Sequence, residues 1–315
     1  MAAPLGGIDI GGTKILVCRG DAEGHVQWTD SFATDPEASP GELLAEASQR
    51  LLDGGTIAAL GVTCPGPFFR RTQTFEKPPN MPRWHGFELG SWLSSHVPGI
   101  PFSAKNDANA LAIAEHRWGA GRSVSTLVFF TMSTGMGAGL VLDGRPYEGA
   151  RGFAGEIGHL RLSDEGPIGF GKRGSVEGFL SGPGLAQLAA EEVRIARQRG
   201  ESTELFEVAS LDAKALCAAA QRGDRVARRA TDRAGARLGQ LMAILVDVLE
   251  PELFVLGTIG RAYPELFIEP AMQVVHREAL ALSTTDLRIE PSALDDHAAQ
   301  SALVLAALAS EARDR

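Results

Sequence analysis

The feature that most constrains the fold is a hairpin that occurs twice. Leu5 to Ile10 and Ile15 to Cys18 are apolar, strand-like segments on either side of a glycine pair and a threonine. The segment from Thr126 to Leu142 repeats this order around Ser133-Thr-Gly-Met-Gly-Ala-Gly139. Glycine allows such tight turns because it tolerates backbone angles that other residues avoid. The recurrence predicts two domains of related topology facing a common cleft.

The rest of the chain alternates strand and helix patterns, which predicts an α/β protein. We therefore predict a two-domain α/β fold with an interdomain cleft. A small N-terminal α/β domain covers 1–120, and the C-terminal helix 298–315 can join it. A large α/β domain covers 121–297. The predicted segments are helices at Gly41–Asp53, Ala108–Trp118, Leu185–Arg199, Asp212–Arg222, Asp224–Leu249 and Ala298–Glu311, and strands at Ile57–Val62 and Leu253–Leu256.

Composition narrows the classes of function. The 315 residues carry a formal charge of -9, which disfavours nucleic acid or an anionic membrane as the main partner. Three cysteines without a paired spacing suit reduced thiols. The sequence shows neither a secretion signal nor an apolar run long enough to span a bilayer, so a cytoplasmic protein is expected.

The first glycine turn, Asp9-Ile-Gly-Gly-Thr-Lys14, has the chemistry of a phosphate cradle. Gly11 and Gly12 let backbone N–H groups approach phosphate oxygens, and the side chains of Thr13 and Lys14 can add further donors. Asp9 at the strand end can hold Mg²⁺ through water, because this cation retains several waters in proteins. A plain hairpin turn is the alternative for these six residues.

The second turn offers the same groups through Thr134, Gly135 and Gly137. The spacing of its glycines resembles a dinucleotide-binding loop, but such a loop opens a helix, whereas a strand pattern follows here. The segment Gly166-Pro-Ile-Gly-Phe-Gly-Lys172 resembles a Walker A loop, except that Arg173 stands where a hydroxyl residue is needed. We therefore predict neither a dinucleotide-binding loop nor a Walker A loop at these two segments.

A candidate general base lies in Lys105-Asn-Asp-Ala-Asn109, between an apolar segment and a helix pattern. Asp107 at this strand-to-helix turn could accept a hydroxyl proton, which is the help that phosphoryl transfer needs from a side chain. The alternative is that Asn106 or Asp107 only caps the helix.

Three polar side chains follow in glycine-rich surroundings: Glu156, His159 and Glu177. Carboxylates and imidazoles can read sugar hydroxyls, each of which both donates and accepts hydrogen bonds. A single glutamate or histidine is otherwise usually structural or solvated.

Together these segments resemble the ROK family, which contains repressors and sugar kinases such as bacterial glucokinases and N-acylhexosamine kinases. The resemblance covers nearly the whole chain. It rests on Asp9-Ile-Gly-Gly-Thr-Lys14, Cys64-Pro-Gly-Pro67, Pro79-Asn-Met-Pro-Arg-Trp84, Asn106-Asp-Ala-Asn109, Ser133-Thr-Gly-Met-Gly-Ala-Gly139, Gly155-Glu-Ile-Gly-His159 and Arg173-Gly-Ser-Val-Glu177.

The resemblance implies roles for individual residues. Asp107 matches the family's base, Thr13, Thr134 and Gly135 match its phosphate-binding turns, and Gly257-Thr-Ile-Gly260 matches the segment beside the adenosine. It also implies the two-domain actin-like ATPase (ribonuclease H-like) fold and a homodimer. The sugar-contacting set that it implies is Asn80, Asn106, Asp107, Glu156, His159 and Glu177.

The chain departs from the family where a structural zinc is usually held by a histidine and three cysteines. Ile168, Phe170 and Ser175 stand at the expected thiolate positions, and His159 alone cannot form a tetrahedral site. We therefore predict no structural zinc, and we expect apolar packing of Ile168 and Phe170 to order this loop.

These observations predict an ATP-dependent kinase that transfers the γ-phosphoryl group to a sugar hydroxyl, with glucose giving glucose 6-phosphate as the leading reaction. Mg²⁺ would enter with ATP. N-acetylmannosamine or another N-acylhexosamine, fructose as acceptor, and polyphosphate as donor remain alternatives. A sugar-binding regulatory protein without catalysis is an alternative of another class. A DNA-binding repressor is disfavoured, because only eight residues precede Asp9 and the chain is acidic.

Overall fold

The computed structural model of the chain describes residues 3–78 and 81–313. It contains helices and mixed sheets, in agreement with the predicted α/β class. Among the described residues, no helix combines the length and apolar character needed to cross a lipid bilayer.

The strands are short and fall into two main sheets and two small hairpins. In chain order they are β1 (Leu5–Ile10), β2 (Lys14–Gly20), β3 (Val26–Ala33), β4 (Leu60–Cys64), β5 (Phe68–Phe69), β6 (Thr74–Phe75), β7 (Phe102–Asn106), β8 (Leu127–Phe130), β9 (Ala138–Leu142), β10 (Arg145–Pro146), β11 (Ile168–Gly169), β12 (Lys172–Arg173), β13 (Leu253–Leu256) and β14 (Arg288–Pro291).

The helices are concentrated in the second half of the chain. They are α1 (Pro40–Asp53), α2 (Leu89–His96), α3 (Asp107–Arg117), α4 (Val176–Leu180), α5 (Gly182–Arg199), α6 (Ala213–Gln221), α7 (Arg225–Leu249), α8 (Thr258–Ala262), α9 (Pro264–Glu278) and α10 (His297–Arg313), with short 3-10 turns at Pro82–Trp84, Ile157–His159, Glu204–Glu207 and Ala281–Thr284.

The chain divides into two compact units. Unit 1 comprises Met1–Arg122, Pro146–Ala154 and Ala293–Arg315, and unit 2 comprises Ser123–Arg145 and Gly155–Ser292. Unit 1 is therefore assembled from three separate segments of the chain, one of which contains α10.

The main sheet of unit 1 has the strand order β3-β2-β1-β4-β7. Strands β1, β2 and β3 pair antiparallel, while β4 pairs parallel with both β1 and β7. Leucines of α1 are buried in the core on one face. On the other face α10 lies close, because glycines replace side chains there: a Cβ at Gly7 would stand 2.7 Å from that of Ala302.

The main sheet of unit 2 has the corresponding order β10-β9-β8-β13-β14. Strand β9 is antiparallel to β8, and β13 is parallel to both β8 and β14. Phe130 and Phe254 stack at a ring distance of 5.5 Å between neighbouring strands. Helices α7 and α9 pack closely in the same unit, since a Cβ at Gly235 would lie 2.8 Å from the Pro270 side chain.

Local signals explain where the helices begin and end. Ser39 and Glu42 form a reciprocal capping box before α1, and Asp224 accepts the Val226 and Ala227 N–H groups before α7. Helix α5 ends at Gly200 in the left-handed conformation that favours glycine. The long helices consequently match their predicted positions to within a few residues.

Candidate active site

Asp9 lies at the end of β1, beside the parallel strand β4. The Thr63 hydroxyl donates a hydrogen bond of 2.5 Å to Asp9 Oδ1. Burial raises the pKa of the Asp9 carboxyl to about 6, and the nearby carboxylates of Asp107 and Asp296 add to this increase, against the hydrogen bond from Thr63 and the charge of Lys14. A carboxyl held in this way favours a nearby cation, because a cation would stabilise its charged form.

The glycine turn after β1 is held in one shape by backbone and hydroxyl contacts. The Gly11 N–H donates to the Lys14 carbonyl at 3.1 Å, and Thr34 donates its hydroxyl to the Gly11 carbonyl at 2.7 Å. A Cβ at Gly11 would lie 2.7 Å from the Lys14 oxygen, so the turn requires glycine. Gly12 and Thr13 are exposed at its tip, where an anion can reach them.

Asp107 is the first residue of α3, directly after β7. Its Oδ1 accepts the Ala108 N–H at 2.8 Å, and Asn106 Oδ1 accepts the Asn109 N–H at 3.0 Å. Asn106 therefore caps α3, which is the structural role considered for it in the sequence. Asp107 is exposed and accessible to a substrate. Desolvation by the surrounding protein raises the pKa of the Asp107 carboxyl, and the Ala108 N–H opposes that shift.

Unit 1 also contains neighbours of Asp9 and Asp107 that the sequence analysis missed. Thr63 and Asp296 both act on Asp9, and Asp296 accepts the Ala299 N–H at the start of α10. Lys105, two residues before Asp107, forms a 2.8 Å ion pair with the buried Glu148. An acidic pair before an apolar helix was the available signal for Asp296, while nothing local indicated the pairing of Lys105 with Glu148.

The second turn lies in unit 2 after β8. The Gly137 N–H donates to the Thr131 hydroxyl at 3.0 Å, and the Ser133 N–H donates to the Gly135 carbonyl at 2.9 Å. Thr134 is exposed at the tip. Strand β9 follows the turn, which agrees with the rejection of a dinucleotide-binding loop.

Gly257 begins a short segment that lies against this turn. Its N–H donates to the Phe130 carbonyl at 2.8 Å, and the Ile259 N–H donates to the Met132 carbonyl at 3.0 Å. A Cβ at Gly257 would stand 2.7 Å from the Phe130 oxygen, so a side chain would force the two segments apart. The structure thus brings the predicted phosphate turn and the predicted adenosine segment together within unit 2.

Glu156, His159 and Glu177 converge in the same unit. His159 Nε2 lies 3.8 Å from Glu156 Oε2, and Glu177 Oε2 accepts the Met136 N–H at 3.2 Å. Burial raises the pKa of Glu177, against the Met136 hydrogen bond and the nearby His159, while Glu156 adds to the increase. Two carboxyl groups and an imidazole are suited to recognising several hydroxyls. Asn80, the remaining predicted sugar contact, lies outside the described residues.

The loop at the expected zinc position is ordered in another way than we predicted. The Ile168 and Phe170 side chains are 46% and 61% exposed, so apolar burial does not order the loop and that expectation is wrong. Ser175 is buried, accepts the Gly178 N–H at 3.0 Å and donates to the Gly169 carbonyl at 3.3 Å. Gln187 forms two 2.9 Å bonds with the backbone of Ile168.

The side chains in this loop do not fit a zinc ion. A hydroxyl and two hydrocarbon groups replace the thiolates, and across residues 3–78 and 81–313 no group of three histidine, cysteine or acidic side chains is placed to hold a metal. Gly166 to Lys172 forms the hairpin of β11 and β12 instead of a strand, loop and helix, so it is not a Walker A loop.

The sheet order of the two units, their glycine turns and the aspartate after β7 define the actin-like class of sugar kinases and their relatives. The family model described as "ROK family" matches residues 5–309. The chain therefore belongs to the ROK family, and the predicted fold class and resemblance are both confirmed.

Relatives in this family differ in activity. The chain is 30% identical to the xylose repressor of Caldicellulosiruptor bescii over 77% of its own length, but it spans only 60% of that repressor. It is 29% identical to the glucokinase of Thermotoga maritima, with 83% of this chain and 84% of the relative covered. N-acetylmannosamine kinases are also among the relatives.

A solved structure supports the same fold. The ROK glucokinase of Streptomyces griseus, in complex with glucose and AMPPNP, is 26% identical and superposes with a TM-score of 0.80, covering 98% of this chain and 99% of that one.

Proposed function

We propose that this chain is an ATP-dependent hexose kinase that transfers the γ-phosphoryl group to a sugar hydroxyl, with glucose as the acceptor and glucose 6-phosphate as the product. The observation that carries the proposal is Asp107: an exposed carboxylate with a raised pKa, fixed at the first turn of α3 by the Ala108 N–H. A general base needs this combination of access, orientation and tuned basicity.

In the proposed reaction, the oxygen of the sugar 6-hydroxyl attacks the γ-phosphorus of ATP, and the bond between that phosphorus and the leaving ADP oxygen breaks. Asp107 accepts the proton of the 6-hydroxyl in the same step. The ordered turns at Gly11–Lys14 and Thr131–Gly137 supply backbone and hydroxyl donors for phosphate oxygens. Asn106, Glu156, His159 and Glu177 bind and orient the sugar. Such phosphoryl transfer depends mainly on positioning and charge stabilisation.

Mg²⁺ bound with ATP would neutralise charge on the phosphates, and Asp9 would hold it through water. Its pKa of about 6 means that Asp9 is mostly ionised above that pH, as a magnesium ligand must be. An ionised carboxylate at this end of β1 therefore fits a water-mediated contact with the cation.

The decisive test is the variant Asp107→Ala, followed by ADP release with glucose. We expect turnover to fall by at least about 10²-fold, because the general base is removed, while the circular dichroism spectrum and glucose binding persist. Asp53→Asn, which removes an exposed carboxylate at the end of α1, is the matched control. Near-normal turnover in Asp107→Ala would remove the assignment.

The acceptor and donor are settled by a panel. Glucose, fructose, glucosamine and N-acetylmannosamine should be compared with ATP and with polyphosphate, and the proposal expects glucose with ATP to have the highest kcat/KM. A higher value for N-acetylmannosamine would keep the kinase and change the sugar.

A sugar-binding regulator without catalysis is the second candidate, because a xylose repressor is among the relatives. Retention of Asp107 and of both glycine turns supports the kinase instead. Sugar binding without sugar phosphate formation from either donor would favour the regulator. The homodimer stays a prediction that light scattering can test.

A further inference from the structure

A cavity of about 630 Å³ lies within unit 2, and its charged lining consists of four arginines and three glutamates. Helix α7 contributes Arg233 and Arg237, the segment before α4 contributes Arg173, and α9 contributes Arg277. The volume is in the range of about 300–1,000 Å³ that holds small molecules. Four guanidinium groups in one cavity run against the net charge of -9, and the reaction proposed above does not use them.

Arg237 is the anchor of this cavity. Its guanidinium lies 4.9 Å from the centre of the Phe179 ring and donates to Gln240 Oε1 at 2.7 Å. Within the described part of the chain, it forms no ion pair with a carboxylate. A partly buried guanidinium that stacks on an aromatic ring and keeps donors unused by carboxylates is well suited to a planar, bidentate anion contact.

Arg233 forms 3.0 Å ion pairs with Glu191 and with the buried Glu192, so it stays engaged within the protein. The remaining two arginines form pairs that an anion can replace. Arg173 is 3.6 Å from Glu165, and these side chains are 55% and 87% exposed. Arg277 pairs with its chain neighbour Glu278. Exposed pairs of this kind contribute little to stability, so a phosphate can compete for the guanidinium groups.

The rest of the lining suits a polyol better than an apolar ligand. Glu165, Glu191, Ser163 and Gln240 supply carboxylate, hydroxyl and amide groups. Such groups pair with hydroxyls that both donate and accept. We propose that this cavity binds a phosphorylated sugar, with its phosphate on Arg237 and its hydroxyls on the acidic and amide groups.

The position of Phe179 gives this site a route to the sugar-binding residues. Phe179 and Glu177 both belong to α4, and the buried Phe179 ring fits against Gly166, where any Cβ would overlap it. A ligand that moves Arg237 acts directly on this ring. On the assumption of the kinase function proposed above, a sugar phosphate is the reaction product, and the cavity is a feedback site.

Binding should be measured first, by calorimetry on the whole chain with glucose 6-phosphate, glucose and inorganic phosphate as separate probes. Arg237→Gln removes the anchor, and Arg228→Gln, an exposed arginine on the same helix outside the cavity, is the matched control. We expect Arg237→Gln to weaken the binding of glucose 6-phosphate at least tenfold and to leave the binding of glucose unchanged. Arg228→Gln should bind both compounds as the unsubstituted chain does.

Equal binding of glucose 6-phosphate by all three proteins would overturn the proposal. The cavity would not recognise the sugar if inorganic phosphate bound as tightly as glucose 6-phosphate and with the same dependence on Arg237. That result would overturn the claim that the acidic and amide groups bind the sugar hydroxyls. Arg173→Gln should weaken the phosphate ester less than Arg237→Gln, and the reverse order would contradict the role of Arg237 as anchor.

Kinetics then test feedback separately from binding. Glucose 6-phosphate should inhibit turnover in the original chain, and Arg237→Gln should relieve at least part of the inhibition while keeping its kcat without product. If ADP release is absent in every protein but binding depends on Arg237, the kinase proposal fails and the site stands. Unrelieved inhibition in Arg237→Gln would refute feedback through this cavity.

Discussion

The sheets of the two units share their connectivity and differ in what stands at their carboxyl ends and what covers their faces. In unit 1 the strand ends carry Asp9, Thr63 and Asp107, a group with two carboxyls of raised pKa. In unit 2 the corresponding ends lead into Thr131 and Gly257, which are neutral and permit close backbone approach. One topology thus ends in carboxyl groups in one unit and in neutral residues with close backbone contacts in the other.

The two sheets also differ in the size of the side chains that pack against them. The sheet of unit 1 is lined by Gly7, Gly20 and Gly61 on the face that meets α10, so a helix backbone can approach the strands. The sheet of unit 2 fills its core with large rings such as Phe130 and Phe254. Close packing through glycine tolerates no added atom, whereas a core of large side chains can relax around a smaller one.

The largest expected effect comes from Gly61→Ala in unit 1. Its Cβ would overlap the Ala302 carbonyl and approach the Ala306 nitrogen at 2.6 Å, and a helix backbone cannot yield. We expect a loss of more than about 4 kcal/mol in the free energy of unfolding, or insoluble protein.

Phe254→Leu in unit 2 sharpens the comparison. It should lower the stability by only about 1–2 kcal/mol, because the ring stack is lost but the site can repack. Thermal unfolding followed by circular dichroism compares the two variants. A Gly61→Ala midpoint equal to that of the original chain would show that α10 does not lie as close as described.

A second prediction concerns the buried ion pair of unit 1. Glu148→Gln leaves Lys105, only 16% exposed, without its 2.8 Å partner. We expect the free energy of unfolding to fall by about 3 kcal/mol, because an unpaired buried charge is costly. The exposed pair of Arg222 and Glu204 in unit 2 is the control, since Glu204→Gln should change stability by less than about 1 kcal/mol. Urea titrations measure both, and equal losses would contradict the contrast.

The third prediction concerns how the stability of the protein depends on pH through the buried carboxyl of Asp9. Because the Asp9 pKa rises from 3.8 to about 6 on folding, the unfolded chain binds fewer protons in that interval, and stability falls as the pH rises through it. Asp9→Asn keeps an oxygen that can accept the Thr63 hydrogen bond and removes the charge. It should therefore stabilise the protein at pH 8 by up to about 2 kcal/mol and have little effect at pH 4.

Denaturant unfolding at the two pH values checks this sign. Glu177→Gln in unit 2 should act in the same direction with a smaller effect, since that carboxyl is only half-buried. Destabilisation by Asp9→Asn at pH 8 would mean that the ionised carboxylate is stabilising in the fold.

The smallest effect concerns two helix caps. Ser175→Ala removes a buried hydroxyl that both accepts from Gly178 and donates to Gly169, and we expect a loss of about 1–2 kcal/mol. Ser39→Ala in unit 1 removes two hydrogen bonds with Glu42, at a more exposed cap, and a loss of about 0.5–1 kcal/mol is expected. Thermal midpoints rank the two, and a larger loss at Ser39 would reverse the interpretation.

Periodic and glycine-marked segments could be predicted from the sequence, and segments that depend on distant partners could not. Strand β1 and the long helix α7 were located because apolar spacing and caps are local signals. Strand β3 was missed because it is an edge strand with mostly exposed side chains. Helix α9 was missed because Pro264 and Pro270 interrupt its pattern, although proline is tolerated at its first turn.

The site shows the same division. Asp9 and Asp107 could be selected as candidate site residues because each lies in a short motif of polar residues at the end of an apolar strand. The partner of Asp9, Thr63, is 54 residues away, and Glu148 is 43 residues from Lys105, so no local pattern could pair them. The loop at the expected zinc position was misjudged because apolar residue types do not reveal that Ile168 and Phe170 point outward.

The helix α10 that covers the glycine-lined sheet is also the last described element that a ribosome makes. Strands β1, β2 and β4 come from the first 64 residues, and their cover comes from residues 297–313. During synthesis the glycine-lined face of this sheet therefore stays exposed to water until the residues of unit 2 and then α10 have been made. Apolar surface that is exposed in such an intermediate is prone to aggregate until α10 has been made.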